Sequence, residues 1–248
     1  MPRDIAVIAR HTCVLLARDP GTLLAYTVMS SVLMAVLHPV YARMAPPGTS
    51  GTVSAAAGTS VMFTLLAMDV AGEQLLAERE WHTWNRIRAT PARLASVLAG
   101  KALPLVTVFL TLQALLFTEA AWWYGLNLAT GTWRLPLLWL AWASCVTTLG
   151  LALGAWLGGR GRLGAVADIT AMIMMGLSGA LIPPSSLPHR LADLASVLPA
   201  SWAVRGYQAA LGPRPSGTYT HALTLIAAVT AISGALAVLR TLRPARRP

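Results

Sequence analysis

Long stretches without a charged residue recur along the chain and constrain its fold more than any other feature. Residues 20–42 contain no Asp, Glu, Lys or Arg, and neither do residues 135–159. About 20 apolar residues in a helix are enough to cross a bilayer. Only 11% of the 248 residues are charged, whereas soluble domains contain about 25%. The chain is therefore predicted to be an all-α integral membrane protein.

Six transmembrane helices are predicted, together forming a single domain over residues 1–248. The spans cover residues 20–42, 55–76, 97–122, 135–158, 164–182 and 218–239. Residues 1–19 place apolar side chains at helical spacing and are expected to form an interfacial helix rather than a cleaved signal peptide, because they carry five charges. Residues 183–211 contain several prolines and charges and are expected to form short external or re-entrant helices.

Basic residues are distributed unevenly along the loops. Fourteen of the 19 Lys and Arg residues lie in the N-terminus, in the segment 79–101, in the turn 160–162 or in the C-terminus. Lys and Arg are enriched on the cytoplasmic side of membrane proteins. Both termini are therefore predicted to be cytoplasmic, in a multi-pass protein of a bacterial cytoplasmic membrane. The net charge of +10 follows from this topology and does not indicate nucleic-acid binding.

The most charged segment, residues 78–101, follows the second span. As a helix it would have an apolar side with Trp81, Trp84 and Ile87 and a polar side with Glu78, Arg79, His82, Asn85 and Arg86. Thr90-Pro91 would end this helix. Residues 78–91 are therefore predicted to lie in the cytoplasmic interface, with a charged face that could bind another protein. A solvated surface helix without a partner is the alternative.

This segment resembles the cytoplasmic loop of type-2 ABC exporter permeases. The matching residues are Glu78, Arg79, Glu80, Thr83, Arg86, Arg88, Thr90, Pro91, Gly100 and Lys101. His82 stands where the family has a glycine. Arg18-Asp19-Pro20 before the first span, and residues 182–188 and 198–205 before the last span, also match the family and occur in the expected order.

The resemblance implies the permease subunit of an ATP-driven exporter, with residues 78–91 as the coupling helix that docks into a separate ATPase. The implied coupling residues are Glu78, Arg79, Glu80, Trp81, His82, Thr83, Arg86, Arg88, Thr90 and Pro91. Two permease subunits, identical or different, would assemble with two ATPase subunits. ATP and Mg would be bound by the ATPases.

No ATP site is expected in this chain, because its only Gly-Lys pair does not belong to a phosphate-binding loop. Ala95 stands where that loop needs its first glycine, and Ala102 stands where it needs Ser or Thr. The histidines and the two cysteines, Cys13 and Cys145, lack metal-ligand spacing. We therefore expect a transport subunit without an enzymatic activity, cofactor or metal of its own.

Two other classes of membrane protein remain open from the sequence. Residues 176–179 read Gly-Leu-Ser-Gly, which resembles the nucleophile motif of rhomboid intramembrane proteases. Ser178 would then need a histidine base within about 3 Å, and His221 is the candidate. Small residues in a span more often serve helix packing. A membrane binding or signalling protein that transports nothing is the other alternative.

The predicted spans offer an apolar path with sparse polar groups. The candidate path residues are Thr107, Thr111, Gln113, Met172, Met175 and Ser178. Such a path suits an amphipathic or hydrophobic small molecule, because burying an unpaired charge is costly. A drug, an antibiotic or a lipid-like molecule is therefore favoured over a polysaccharide, although aromatic faces such as Trp139 and Trp142 would also let a saccharide pass. Glu119 lies near the outer end of the third span, and Asp168 lies near the cytoplasmic start of the fifth. Each of these acids is either functional or solvated.

Overall fold

The computed structural model describes residues 2–18, 20–44, 50–80, 94–131, 133–181, 188–212 and 216–242. Within these ranges the chain forms ten α-helices: α1 (Pro2–Arg18), α2 (Pro20–Met44), α3 (Gly51–Leu66), α4 (Met68–Glu80), α5 (Leu94–Tyr124), α6 (Arg134–Trp156), α7 (Arg160–Leu177), α8 (His189–Val197), α9 (Pro199–Leu211) and α10 (Ser216–Leu242). A short 3₁₀ helix, Leu128–Gly131, precedes α6. The predicted all-α class is confirmed.

Five stretches of helix in the described part of the chain are long and apolar enough to cross a bilayer. They are Leu24–Met44 in α2, Gly51–Ala77 across α3 and α4, Ser96–Tyr124 in α5, Arg134–Trp156 in α6 and Gly217–Leu242 in α10. The remaining predicted span corresponds to α7, which has 18 residues and includes Arg160, Arg162 and Asp168. At 1.5 Å per residue α7 is about 27 Å long, close to the thickness of the hydrocarbon layer.

Rows of large apolar side chains are exposed on the outer helices. On α2 the valines Val28, Val32 and Val36 are each more than half exposed, and so are Ile232 and Leu239 on α10. Extended apolar surfaces of this kind are unfavourable in water. They suit lipid tails or a second membrane subunit, which fits an integral membrane protein.

Helix α3 lies at the centre of the bundle, because every residue from Val53 to Leu65 is buried. Helices α2, α5, α7 and α9 pack around it. A Cβ atom added at Gly58 would lie 3.2 Å from the Ala180 Cα and even closer to the Ala180 carbonyl oxygen. Small residues allow membrane helices to approach to backbone distance, and here they allow the turn after α7 to contact α3.

The second span is broken between α3 and α4. At Ala67 the backbone has φ −82° and ψ 6°, and its N–H group donates to the Phe63 carbonyl oxygen at 3.1 Å. The hydroxyl of Tyr26 on α2 donates to the Leu66 carbonyl oxygen at 3.3 Å. Irregular backbone inside a membrane is tolerated where neighbouring groups satisfy it. The Tyr26 bond therefore supports the bend that separates the two helices.

The helix pair expected within residues 183–211 consists of two different helices. Ala195 is the buried residue of α8, whereas ten of the 13 residues of α9 are buried. Helix α9 packs against α3, α6 and α10, and the Tyr207 hydroxyl on α9 donates to Gln113 Oε1 on α5. Thus α8 lies at the surface, while α9 is inserted among the spans as a re-entrant helix would be.

The predicted N-terminal interfacial helix is α1, which packs against the beginning of α5. Ile8 is half-buried and Thr12 is buried, whereas Arg10 and His11 are exposed. A Cβ atom added at Gly100 would lie 2.8 Å from the Ile8 Cβ. The apolar side of α1 therefore faces the bundle, and Gly100 permits the close contact.

Candidate functional site

The predicted coupling segment begins where α4 ends. Glu78, Arg79 and Glu80 are the last three residues of α4. The other coupling candidates, Trp81, His82, Thr83, Arg86, Arg88, Thr90 and Pro91, lie outside the described residues. Helix α4 packs against both α6 and α7. A displacement of its C-terminal end would therefore be transmitted directly to two further membrane helices.

Three glycines hold α4 and α6 at backbone distance. Gly150 and Gly154 lie one turn apart on α6, and both approach α4 near Gly72. A Cβ atom at Gly154 would lie 2.8 Å from the Gly72 Cα, and a Cβ atom at Gly150 would lie 2.7 Å from the Ala71 Cβ. Small residues four positions apart commonly bring membrane helices together. We expect α4 and α6 to move together for this reason.

The Gly100-Lys101 pair on α5 contacts two further helices, α1 and α4. Gly100 admits Ile8 of α1, as described above. Lys101 is 2% exposed, and its Nζ donates to the Gln74 carbonyl oxygen on α4 at 2.9 Å. A buried ammonium group requires oxygen partners of this kind. The pair thereby joins α1, α4 and α5, which is a structural role.

Acidic side chains surround the beginning of α4. Asp69 is half-buried and accepts the Val70 N–H through Oδ1 at 2.8 Å. Glu73 on α4 and Asp168 on α7 lie near enough to interact electrostatically with Asp69 and with Tyr26. The bend between α3 and α4 is therefore placed in a polar and negatively charged environment.

The six candidate path residues differ in their exposure within the described part of the chain. Thr107, Thr111 and Met172 are exposed, whereas Gln113, Met175 and Ser178 are buried. The hydroxyls of Thr107 and Thr111 donate to carbonyl oxygens of their own helix, at 3.0 and 2.9 Å. The exposed residues could contact a substrate only at the surface of the described bundle, where another subunit or lipid would complete the path.

Gln113 belongs to a buried polar network that joins α5, α6 and α9. Its Nε2 donates to the Trp139 carbonyl oxygen at 3.3 Å, and its Oε1 accepts the Tyr207 hydroxyl. Nearby, Trp142 Nε1 of α6 donates to Thr64 Oγ1 of α3 at 2.7 Å. Hydrogen bonds are strengthened in a medium of low dielectric constant. These bonds therefore hold α9 in its position among the spans.

A small cavity adjoins this network. It is lined by Tyr26, Ser30, Ser60, Phe63, Thr64, Leu112, Gln113 and Leu116. Its volume is ≈ 10 Å³, about the space of one water molecule. Ser60 Oγ is buried without a hydrogen-bond partner, although the Tyr207 hydroxyl lies close to it. The cavity is lined by both polar and apolar side chains, and it is too small for a drug-sized molecule in this conformation.

The sequence analysis missed three members of this polar region, Ser60, Thr64 and Tyr207, and it named Trp142 only as an aromatic face. Each of these residues places a polar atom in an apolar helix, and that feature of the sequence could have identified them as members of a buried polar network. Periodicity gives the side of a helix but does not show which side chains meet between helices. Tyr207 was assigned to a segment of external or re-entrant helices, and the structure buries most of α9 among the spans.

Ser178 has the contacts of a helix end. Its Oγ accepts the Ala180 N–H at 3.2 Å and donates to the Met175 carbonyl oxygen at 3.4 Å. The next residue, Gly179, has φ 83°, which glycine adopts without strain. Neither of these hydrogen bonds involves His221, which is exposed on α10. Among the described residues, no three His, Cys, Asp or Glu side chains are grouped as metal ligands.

Replacing Gln113 with Leu is expected to lower the free energy of unfolding by about 1–3 kcal/mol, because the buried Tyr207 hydroxyl loses its acceptor. The double variant Gln113→Leu, Tyr207→Phe should be more stable than additivity of the single variants predicts, since it removes the Tyr207 hydroxyl together with its acceptor. Thermal unfolding of the purified protein measures both effects. Additive losses would show that the two side chains are not coupled.

The comparisons with known proteins are consistent with this architecture. A family model described as "ABC-2 type transporter" matches residues 3–211, which is most of the chain and includes every helix from α1 to α9. A comparison with curated proteins found no match.

Proposed function

Because the chain belongs to the ABC-2 type transporter family and is a permease component of an ABC transporter, we propose that it exports a small molecule across a bacterial cytoplasmic membrane. The position of α4 is the observation that favours ATP-driven transport most directly. This helix leads into the matched coupling segment at one end and contacts α6 and α7 along its length.

The energy source in this proposal is a separate ATPase. Residues 95–102 lack the glycine and hydroxyl positions of a phosphate-binding loop. Two ATPase subunits would therefore bind ATP and Mg and would dock against residues 78–91 of two permease subunits. The permease itself would be a transport subunit without an enzymatic activity or cofactor of its own.

In the proposed cycle, α4 transmits the motion of the ATPases to the membrane helices. Closure of the ATPases would displace the end of α4 at Glu78–Glu80. The glycine contact near Gly72 would transfer that displacement to α6, and the bend at Ala67 would leave α3 able to stay in place. Switching between two packed arrangements is a common route for such transitions. The permease would thereby alternate between inward and outward access.

The proposed substrate is an amphipathic or hydrophobic small molecule, such as a drug, an antibiotic or a lipid-like compound. Large apolar side chains cover α2 and α10, and the exposed threonines of α5 supply sparse polar groups. The connections between spans are too short for a folded receptor domain of typical size. The path would form where the exposed faces of two permease subunits meet, in a homodimer or a heterodimer.

The reconstituted permease–ATPase complex provides the test. Hydrophobic drugs are expected to raise its ATP hydrolysis severalfold, and lipid-linked saccharides are expected to have no effect. The ATPase alone, in the same lipids, is the control. Stimulation by saccharides alone would contradict the substrate class but not the pump, whereas an ATPase that neither binds nor responds to the permease would contradict the pump.

The proposed orientation predicts which sites react with an impermeant thiol reagent on intact cells. Cysteine placed at Gly48 or Ser216 should react, whereas cysteine placed at Asn85 or Ala245 should react only after lysis. The background must lack Cys13, because that thiol is free and exposed. Reversal of this pattern would contradict the orientation inferred from the basic residues.

A further inference from the structure

Glu119 is a carboxylate inside an apolar span, and the established family role does not explain it. The residue is half-buried on α5, in the span Ser96–Tyr124. Its Oε2 accepts the hydroxyl of Ser31 on α2 at 2.6 Å. Its Oε1 is buried and has no hydrogen-bond partner. An ionisable group inside a membrane span is expensive and usually serves a function.

The charged groups of the packed helices do not satisfy this carboxylate. The basic residues on α2 are His38 and Arg43. The His38 Nε2 lies 3.0 Å from Thr52 Oγ1, and its ring packs on Tyr124, 4.5 Å between centroids. Arg134 at the start of α6 lies over the rings of Trp133 and Tyr219. On α5 itself, Lys101 is bonded to Gln74 near the other end of the helix. The described residues therefore provide Glu119 with one hydroxyl partner and no ion pair.

The surroundings of Glu119 combine a negative charge with aromatic and apolar surface. Trp122 and Trp123 follow it by three and four residues, so they lie on the same side of α5. Both rings are exposed, Trp122 to 85%. Leu115 one turn before Glu119 is also exposed, as is Val32 beside Ser31. Carboxylates and aromatic faces are the groups that recognise organic cations.

We propose that Glu119, with Ser31 and the adjacent Trp122, forms a binding position for the cationic group of an amphipathic substrate. The Glu119 carboxylate would pair with the cation, the exposed indole of Trp122 would cover its outer side, and the apolar surface of α2 and α5 would hold the hydrophobic part. This inference rests on the proposed function and names its substrate class as amphipathic organic cations.

Binding of radiolabelled tetraphenylphosphonium to the purified permease in phosphatidylcholine nanodiscs tests the site without an ATPase. Triphenylphosphine oxide is the neutral probe of similar shape. Glu119→Gln is expected to weaken phosphonium binding about tenfold or more, because it removes the charge of the acceptor. Binding of the neutral probe should change less than about twofold, since its contacts are apolar.

Two further variants separate binding from folding. Trp122→Leu, at an exposed position, should lower the preference for phosphonium over the neutral probe severalfold. Thr118→Val should bind both probes as the unmodified protein does, because its hydroxyl bonds only the Ala114 carbonyl oxygen of its own helix, at 2.7 Å. If Glu119→Gln does not fold, the Trp122→Leu result decides.

If Glu119→Gln prefers phosphonium over the neutral probe as strongly as the unmodified permease does, the proposed site is wrong. If that variant does not fold, an unchanged preference in Trp122→Leu has the same meaning. The same holds if the unmodified permease does not prefer the cation. Cation binding that depends on Glu119 in a complex that exports nothing would support the site and refute the proposed export. Export of neutral drugs alone would be consistent with the proposed pump but would contradict the proposed cation-binding position.

Discussion

Complexes that carry Glu78→Lys and Glu80→Lys together are expected to transport nothing and to show ATP hydrolysis that no longer responds to substrate. These residues end α4 and begin the segment that matches the exporter coupling loop. Two charge reversals would place like charges against a partner surface selected for the opposite sign. Such juxtapositions cost several kcal/mol in protein interfaces. A loss of about tenfold or more in coupled activity is therefore expected.

The matched control is Asp193→Lys, which reverses an exposed acid on α8. Membrane insertion and expression of all variants should be equal to those of the unmodified protein, because the changed residues lie outside the apolar spans. ATPase assays in proteoliposomes and co-purification of the ATPase measure the effect. Normal transport by the double variant at normal expression would show that Glu78 and Glu80 are not part of the coupling surface.

The helical class and the extent of the apolar spans could be predicted from the sequence because they depend on local composition. A stretch without charges such as residues 135–159 has few stable alternatives in a bilayer. The break at Ala67 was not predicted, because the sequence around it, Leu66-Ala67-Met68, contains neither proline nor glycine. Its hydrogen-bond partner Tyr26, which donates to the Leu66 carbonyl oxygen, is 40 residues away in sequence.

The interior of the candidate site was predicted less well, for a related physical reason. Gln113 was singled out as a polar residue in a span, but its partner Tyr207 is 94 residues away. Thr107 and Thr111 were grouped with Gln113 because they are near it in sequence, yet they are exposed and Gln113 is buried. Residues 107 and 111 lie on one side of the helix and residue 113 lies on another, so proximity in sequence does not place the three side chains on one face.

Gly154→Ala is expected to destabilise the protein, although Gly→Ala inside a helix normally stabilises it by about 1 kcal/mol. The new methyl group would lie within van der Waals distance of the Gly72 backbone on α4, 2.8 Å from its Cα. Backbone atoms cannot rotate away as a side chain can, so the two helices must separate. Overpacking of this kind costs about 1–3 kcal/mol.

The same substitution at Gly164 is the control. Gly164 lies within α7, and a Cβ atom there would meet no atom within 4 Å. Gly164→Ala should therefore raise the unfolding temperature slightly, while Gly154→Ala lowers it. Because α4 and α6 are proposed to move together, Gly154→Ala should also reduce substrate-stimulated ATP hydrolysis at temperatures where the variant is folded. Equal unfolding temperatures for the two variants would show that the contact at Gly72 does not constrain the helices.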